Sequence, residues 1–279
     1  MDEMTKEFVK QGTKEVAKMI ALAIEPPAKE LGKLLAKPLE LTNWLLDLLP
    51  AGARLIYRKG AEAWGKRQAK KLAEIPKKYQ TVPHLNILIP AIEGVALNLD
   101  SNILTEMFSE LIKNACDART QDEVHPHHVN LLKTMSSMDA KVLYSLATIG
   151  FENRNVLKEF YVINPHVRVN GENDWNIAPT NYVPINFTPH DFNKVSESFI
   201  RLRDWGLVEP IYGEYSNQEQ VKSTLDEFIK KITPVYKEKH GRDVKIEVEL
   251  KHEFSLKYCF TETGAAFAWC VLPNLGGGK

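Results

Sequence analysis

The amino-acid sequence predicts an α+β protein that is predominantly α, with N-terminal amphipathic helices and a helical hairpin followed by an elaborated winged-helix-like domain. Apolar residues recur at the spacing of an amphipathic helix through most of the chain before Phe151. Beyond that residue, Asn and Pro turn signals surround short β-like runs. In this half a helix ending in glycine is followed by a strand, a long insert, two strands and a short helix, an order typical of a winged-helix domain with insertions.

Composition narrows the class of protein. The chain has 279 residues, of which 44% are hydrophobic and 26% charged. It therefore has enough apolar side chains for a packed core, and a fully disordered protein is excluded. Its three widely spaced cysteines exclude a disulfide scaffold and any CxxC motif. The apolar runs fall short of the roughly 18–20 residues of a spanning helix, and the charged N-terminus lacks a secretory apolar segment. We therefore expect a cytoplasmic protein.

The zero net charge hides an asymmetry between the two parts of the chain. Residues 1–79 carry 16 basic and 10 acidic side chains, whereas the remaining residues carry 20 and 26. Within Arg54–Lys78 the basic side chains number 9 and the acidic ones 2. A local positive excess of this kind favours anionic lipid head groups, nucleic acid, or the acidic remainder of the same protein.

Residues 1–80 form the predicted N-terminal amphipathic helical region. Apolar and small residues recur with a helical period, and prolines mark its breaks at Pro26–Pro27, Pro38 and Pro50. Arg54–Ile75 is its most amphipathic piece, with one apolar stripe along the helix, formed by Tyr57, Ala61, Trp64, Gln68, Leu72 and Ile75. Two fates fit this pattern: the stripe packs on a neighbouring helix with the lysines solvated, or it lies on an anionic membrane surface.

Residues 81–135 form the predicted helical hairpin. Its two helices are expected at Leu85–Leu97 and Ile103–Ala118, with Asp100–Ser101 as the cap of the second. Pro126 suits the first position of a short following helix, Val129–Met135.

Residues 136–274 form the predicted winged-helix-like domain, and 275–279 a flexible tail. Its expected elements, in order, are a helix at Met138–Ile149, strands at Tyr161–Ile163 and Val167–Val169, a helix from Thr188–Pro189 to Gly206, a strand at Leu207–Tyr212, a helix at Gln218–Lys239 broken near Pro234, strands at Lys245–Lys251 and Phe254–Phe260 with a turn at His252–Glu253 between them, and a final helix at Ala265–Cys270. Phe192–Trp205 takes the recognition-helix position. Together with Asp191 immediately before it, this helix carries three basic and three acidic side chains, which disfavours nucleic acid.

Several longer stretches carry a likeness to a known family. They are Leu104–Asp117, His125–Pro126, Leu132–Leu143, Phe199–Val208 and Thr261–Cys270. Through them the chain resembles the abortive infection alpha family, bacterial proteins linked to phage defence. The resemblance implies a shared fold and a defence role in which infection is arrested, and it supplies no catalytic signature.

The residues themselves indicate no catalytic or metal chemistry. His125, His127 and His128 resemble a metal cluster, but no carboxylate or cysteine follows at a ligand spacing, and Pro126 explains the run as a helix start. Cys116 falls on the apolar side of a helix, where a free thiol is usually inert. No nucleophile-elbow, phosphate-loop, dinucleotide or zinc-protease motif is present. We therefore expect no enzyme activity, no cofactor and no metal.

The sequence thus predicts a non-enzymatic antiphage factor whose N-terminal basic helices engage a lipid or membrane surface. The predicted lipid-binding residues are Trp44, Leu45, Leu48, Tyr57, Arg58, Lys59, Trp64, Lys66, Arg67, Lys70 and Lys71. Tyr57 and Trp64 are expected to act as interfacial anchors and the basic side chains to meet anionic head groups. We expect a peripheral position on the inner membrane and a protein partner in a defence system. The alternatives are a protein-interaction module that recruits an effector, a winged-helix nucleic-acid binder, and an enzyme with a site assembled from the insert 151–187.

Overall fold

A computed structural model describes residues 37–153, 156–163, 165–169, 176–177, 182–183, 185–211, 218–240, 245–250 and 256–273. The helices predicted before Lys37 and the tail predicted at 275–279 lie outside these residues. The chain divides into two compact units, one comprising Met1–Ser137 with Cys270–Pro273 and the other Met138–Trp269 with Asn274–Lys279.

Five helices build the described part of the first unit. They are α1 (Pro38–Asp47), α2 (Ala51–Ala73), α3 (Leu85–Leu97), α4 (Asn102–Ala115) and α5 (Pro126–Thr134). Proline sits at the first position of α1 and of α5, where its missing N–H costs no helical hydrogen bond. The predicted proline breaks at Pro38 and Pro50 are therefore confirmed as helix starts.

The predicted hairpin is present as α3 and α4, which pack against each other. Ser101 caps α4, because its hydroxyl accepts a hydrogen bond from the backbone N–H of Leu104 at 3.5 Å. The two helices approach closely at Gly94, where an added Cβ would lie 2.2 Å from the Cζ atom of the buried Phe108. Glycine is required at this position because the aromatic ring occupies the space of a side chain.

The remaining elements follow α6 (Ser137–Gly150) along the chain. They are β1 (Phe151–Asn153), β2 (Val156–Leu157), β3 (Phe160–Val162), β4 (Pro165–Val169), β5 (Asn176–Ile177), α7 (Phe192–Asp204), β6 (Val208–Ile211), α8 (Gln218–His240), β7 (Ile246–Leu250), β8 (Leu256–Phe260) and α9 (Glu262–Val271). The described strands form three antiparallel sheets, β1–β2, β3–β8–β6 and β5–β4–β7. The predicted class, α+β and mostly helical, is confirmed.

One detail of the second unit corrects the sequence-based prediction. Helix α8 runs unbroken through Pro234, because its apolar face is held by a core cluster that includes Phe228 and Ile232. The turn or bend predicted at His252–Glu253 lies outside the described residues; β7 pairs with β4, and β8 pairs with β3 and β6. Strand β7 lies beside β4 because Ile246, Val248 and Leu250 pack on the hydrophobic cluster that contains Val167 and Val169 of β4.

The predicted glycine end of α7 and the predicted cap of α9 are confirmed, whereas Thr188 makes no capping hydrogen bond to the backbone and a 3-10 turn, Pro189–Asp191, precedes α7. Gly206, with φ +69°, ends α7 in the left-handed conformation that glycine tolerates. Thr261 caps α9 by accepting the backbone N–H of Gly264 at 2.8 Å. The strand order β3–β8–β6, with α7 immediately before β6, is compatible with a winged helix, and that finer description stays a prediction.

Candidate functional site

The apolar stripe of α2 faces the interior of the first unit. Trp64 is only 1% exposed, and its indole N–H donates a hydrogen bond to the Ser109 hydroxyl of α4 at 2.9 Å. Leu72 and Ile75 are buried along the same stripe. The first of the two predicted fates, packing on a neighbouring helix, is therefore the one that the structure shows for this face.

Helix α1 is packed against α2 in the same way. Leu45 and Leu48 are buried, and the Thr42 hydroxyl donates to the backbone carbonyl of Ala61 in α2 at 3.4 Å. At the turn between the helices, the Arg54 guanidinium donates to the carbonyl oxygen of Leu49 at 2.9 Å. The short helix is thus a core element rather than a free apolar surface.

Lys71 is a structural ion-pair partner rather than a free cation. Its ammonium lies 2.6 Å from a carboxylate oxygen of Glu106 and also contacts the carboxylate of Glu110, one turn further along α4. Burial alone would lower the pKa of Lys71, but the hydrogen bonds to the two carboxylates outweigh it and raise the pKa. The lysine therefore stays charged and joins α2 to α4.

These positions correct part of the predicted lipid-binding set. Leu45, Leu48 and Trp64 are enclosed by protein, so they cannot contact lipid in this conformation. Lys71 has its charge neutralised by two carboxylates, so it cannot meet a head group either. The side chain of Trp44 lies outside the described residues.

The opposite side of α2 is exposed and strongly basic. Tyr57 is 37% exposed at its edge, and the charged residues on this side are Arg58, Lys59, Glu62, Lys66, Arg67 and Lys70. Glu62, the acidic member, pairs with Arg58 at 3.1 Å. Four cations of α2 therefore face solvent without an ion pair among the described residues: Lys59, Lys66, Arg67 and Lys70.

Two further residues of this exposed side were missed by sequence reasoning. Leu55 and Ile56 are 81% and 76% exposed, the highest values among the large apolar residues that the structure describes. At 100° per residue they fall on the same arc of the helix as Lys59, Lys66 and Lys70. The sequence does contain a sign of this exposure. Leu55 and Ile56 lie off the apolar stripe of α2, on a side where no other described helix packs. We call Leu55, Ile56, Lys59, Lys66, Arg67 and Lys70 the outer face of α2.

The histidine run has a capping role. The backbone N–H of His127 donates to Nδ1 of His125 at 3.2 Å, and the N–H of His125 donates to Nδ1 of His128 at 3.3 Å. Burial first, and then the nearby His125 and His127, lower the pKa of His128 to about 4, so its ring is neutral. Within the described residues no group of three His, Cys, Asp or Glu side chains is placed to hold a metal ion.

A cleft in the second unit was also not predicted. It has a volume of about 420 Å³ and is lined by Ser145, Thr148, Ile149, Ile185, Asn186, Glu227 and Lys231. Lys231 forms an ion pair with Glu227 at 2.7 Å and donates to the carbonyl oxygen of Ile185 at 3.1 Å. The charged groups of the cleft therefore satisfy each other.

Comparison with known proteins now places the chain in a class. The family model of abortive infection alpha matches residues 58–271, which is most of the chain. The protein belongs to this family, and its membership indicates an abortive-infection role in phage defence. Neither the curated proteins nor the solved structures give a match. Among the helices that the structure describes, none combines the length and hydropathy required of a membrane span.

Proposed function

We propose that this abortive-infection protein acts by binding an anionic membrane surface through the outer face of α2, without catalysing a reaction. The observation that carries the proposal is the exposure of Leu55 and Ile56 at one end of a helix side that is otherwise basic. Aliphatic side chains insert at the head-group boundary, while lysine and arginine stay among the head groups. The binding site is therefore peripheral, and we place it at the cytoplasmic side of the inner membrane.

The expected strength of this contact follows from its two parts. Each cation near an anionic surface contributes about 1 kcal/mol, and the outer face carries four. Burying two aliphatic side chains adds about 1.5–3 kcal/mol each. The loss of translational freedom on binding offsets part of this favourable free energy. What remains is enough for reversible binding, which weakens at high salt because salt screens the charges.

Binding without catalysis is supported by how the charged groups are used. In the first unit Asp117 pairs with Arg119 and Lys71 with two glutamates, and the histidine run caps α5. In the second unit Arg201 of α7 pairs with Asp139 at 2.7 Å. These pairs stabilise helices, whereas Lys59, Lys66, Arg67 and Lys70 on the outer face of α2 have no ion pair among the described residues.

The nucleic-acid alternative has less support than the lipid surface. Arg201 and Arg203 of α7 are engaged with Asp139 and Asp204, which reduces the charge that this helix offers to phosphates. A protein partner on the outer face of α2 is the remaining alternative, and the experiment below separates it from a membrane.

The test is vesicle flotation with matched variants. Wild-type protein should float with phosphatidylglycerol-containing vesicles and not with neutral ones, and less at high salt. The variant L55S/I56S should lose about tenfold or more in affinity. The matched control is L97S, because Leu97 is also an exposed aliphatic residue, at 57%, but lies on α3.

The contribution of the basic side chains to vesicle binding is tested with a separate pair of variants. Reversal of Lys59, Lys66 and Lys70 to Glu should abolish binding, whereas reversal of the exposed Lys222, Lys230 and Lys237 of α8 should leave most of it. Failure of the wild type to float, or equal flotation of L55S/I56S, contradicts the proposal. If phage protection in cells still depends on Leu55 and Ile56 although no vesicle is bound, the surface belongs to a protein partner.

A further inference from the structure

The cleft of the second unit is large enough to hold a small molecule. Its volume of about 420 Å³ falls within the range of ligand pockets, about 300–1,000 Å³. Helices α6 and α8 form most of its wall, and residues 185–186 complete it. Five of the seven lining side chains are polar and two are isoleucines. The cleft therefore combines hydrogen-bonding groups with a small apolar surface.

The ion pair of the cleft neutralises its own charges but keeps part of its hydrogen-bonding capacity. The ammonium of Lys231 has three N–H donors, of which one is directed at Glu227 at 2.7 Å and a second at the carbonyl oxygen of Ile185 at 3.1 Å. One donor remains after these described contacts. Glu227 also lies beside the Tyr182 hydroxyl, but a carboxylate has lone pairs for about four hydrogen bonds. The pair thus offers a donor and an acceptor side by side, on side chains that are 23% and 43% exposed.

The uncharged groups of the cleft add further hydrogen-bonding atoms. Ser145 and Thr148 are three residues apart on α6, so their hydroxyls lie on one side of that helix. The Thr148 hydroxyl donates to the carbonyl oxygen of Ser145 at 2.7 Å, which leaves its own oxygen able to accept. The exposed amide of Asn186 can both donate and accept. Ile149 and Ile185 supply the carbon surface of the same wall.

The balance of charge in the cleft selects the chemistry of its ligand. A ligand with a net charge would be attracted by one member of the Glu227–Lys231 pair and repelled by the other. A vicinal diol is neutral, and each of its hydroxyls both donates and accepts. We propose that the cleft binds the vicinal diol of a neutral nucleoside or sugar, with one hydroxyl donating to Glu227, its neighbour accepting from Lys231, and the ring carbons against the isoleucines. This inference goes beyond the proposed function and does not depend on it.

The test is NMR titration of the full chain, labelled with carbon-13 at its isoleucine methyl groups. Adenosine and methyl α-glucopyranoside are the two probes, since each carries a vicinal diol. The methyl signals of Ile149 and Ile185 should shift to saturation, while that of Ile92, buried in the first unit, stays in place. The analogue 2′,3′-dideoxyadenosine lacks the diol and should bind at least about tenfold more weakly. Binding of adenosine alone identifies a nucleoside as the source of the diol, binding of the glucoside alone identifies a sugar, and either supports the proposal.

Variants of the cleft assign the contact to its residues. E227Q removes the charged acceptor and should weaken binding about tenfold, and N186A, at an exposed position, should weaken it about fivefold. The matched controls are E238Q on α8 and N193A on α7, which change exposed residues outside the cleft and should leave the affinity within about twofold. The proposal is overturned if neither probe shifts Ile149 and Ile185 at millimolar concentration, or if the dideoxy analogue binds as tightly as adenosine. It is also overturned by unchanged affinity in E227Q, or in N186A should E227Q fail to fold.

Discussion

The hydrogen bond between the Trp64 indole and the Ser109 hydroxyl should be a measurable part of the stability of the first unit. Its donor and acceptor are 2.9 Å apart, and both residues are at most 1% exposed. The serine hydroxyl donates in turn to the backbone carbonyl of Thr105 at 2.8 Å, so it is oriented to accept from the indole. Water cannot replace this bond without opening the contact between α2 and α4.

The magnitude follows from what each substitution leaves behind. Ser109→Ala leaves the indole N–H buried without an acceptor, which costs about 1–3 kcal/mol. Trp64→Phe removes the donor and part of the ring, and we expect a loss of about 1–3 kcal/mol from the bond and the void together. In the double variant the hydrogen bond is lost only once. Its loss of stability should therefore be about 1 kcal/mol smaller than the sum of the losses in the two single variants.

The assay is urea unfolding followed by thiol labelling. Cys116 and Cys270 are buried and belong to the first unit, so their labelling reports its unfolding separately from that of the second unit. A coupling energy below about 0.3 kcal/mol would refute the reasoning, because it would mean that Trp64 does not sit against Ser109 in solution.

Three further outcomes are expected. Gly94→Ala should cost about 1–3 kcal/mol in urea unfolding, because the new Cβ would lie 2.2 Å from the ring of buried Phe108, whereas Gly52→Ala, with nothing within 4 Å, should cost nothing. Folding lowers the pKa of His128 from its ordinary value of about 6.5 to about 4. The contribution of its neutral ring to the free energy of unfolding is therefore fully present above about pH 6.5 and is lost as the pH falls towards 4. His128→Gln should flatten that fall in melting temperature, since glutamine can also accept at this position. The thiol of Cys116, whose pKa is raised to about 12 chiefly by burial, should resist alkylation in the native state and react in urea.

Much of the helical architecture could be predicted because its determinants are local. A proline at a first helical position, a serine or threonine cap and a 3.6-residue period are all present in the sequence near Pro126, Ser101 and Thr261. The same signals located the strands to within a few residues but not their pairing. Strand β7 pairs with β4 because the apolar residues of both strands belong to one hydrophobic cluster, and that cluster is a property of the assembled unit.

The candidate site was predicted only in part, for a related reason. A helical period shows which side of α2 is apolar, but the burial of Trp64 depends on α4, a helix in a different part of the sequence. The partners of Lys71 likewise lie on α4, so no local pattern distinguishes it from Lys70. The exposure of Leu55 and Ile56 could not be predicted from their position off the apolar stripe alone either, because it depends on whether another helix packs beside this side of α2.

The depth of residue 56 at a vesicle surface tests the membrane proposal most directly. An environment-sensitive dye on I56C, in a background where the partly exposed Cys259 is replaced by serine, reports whether this position enters lipid. We expect its emission to shift to the blue on anionic vesicles and to be quenched by a lipid-borne quencher, while the same dye on L97C stays unchanged. An unchanged emission at residue 56, on vesicles that the protein demonstrably meets at low salt, would contradict the assignment of the outer face of α2 to a membrane.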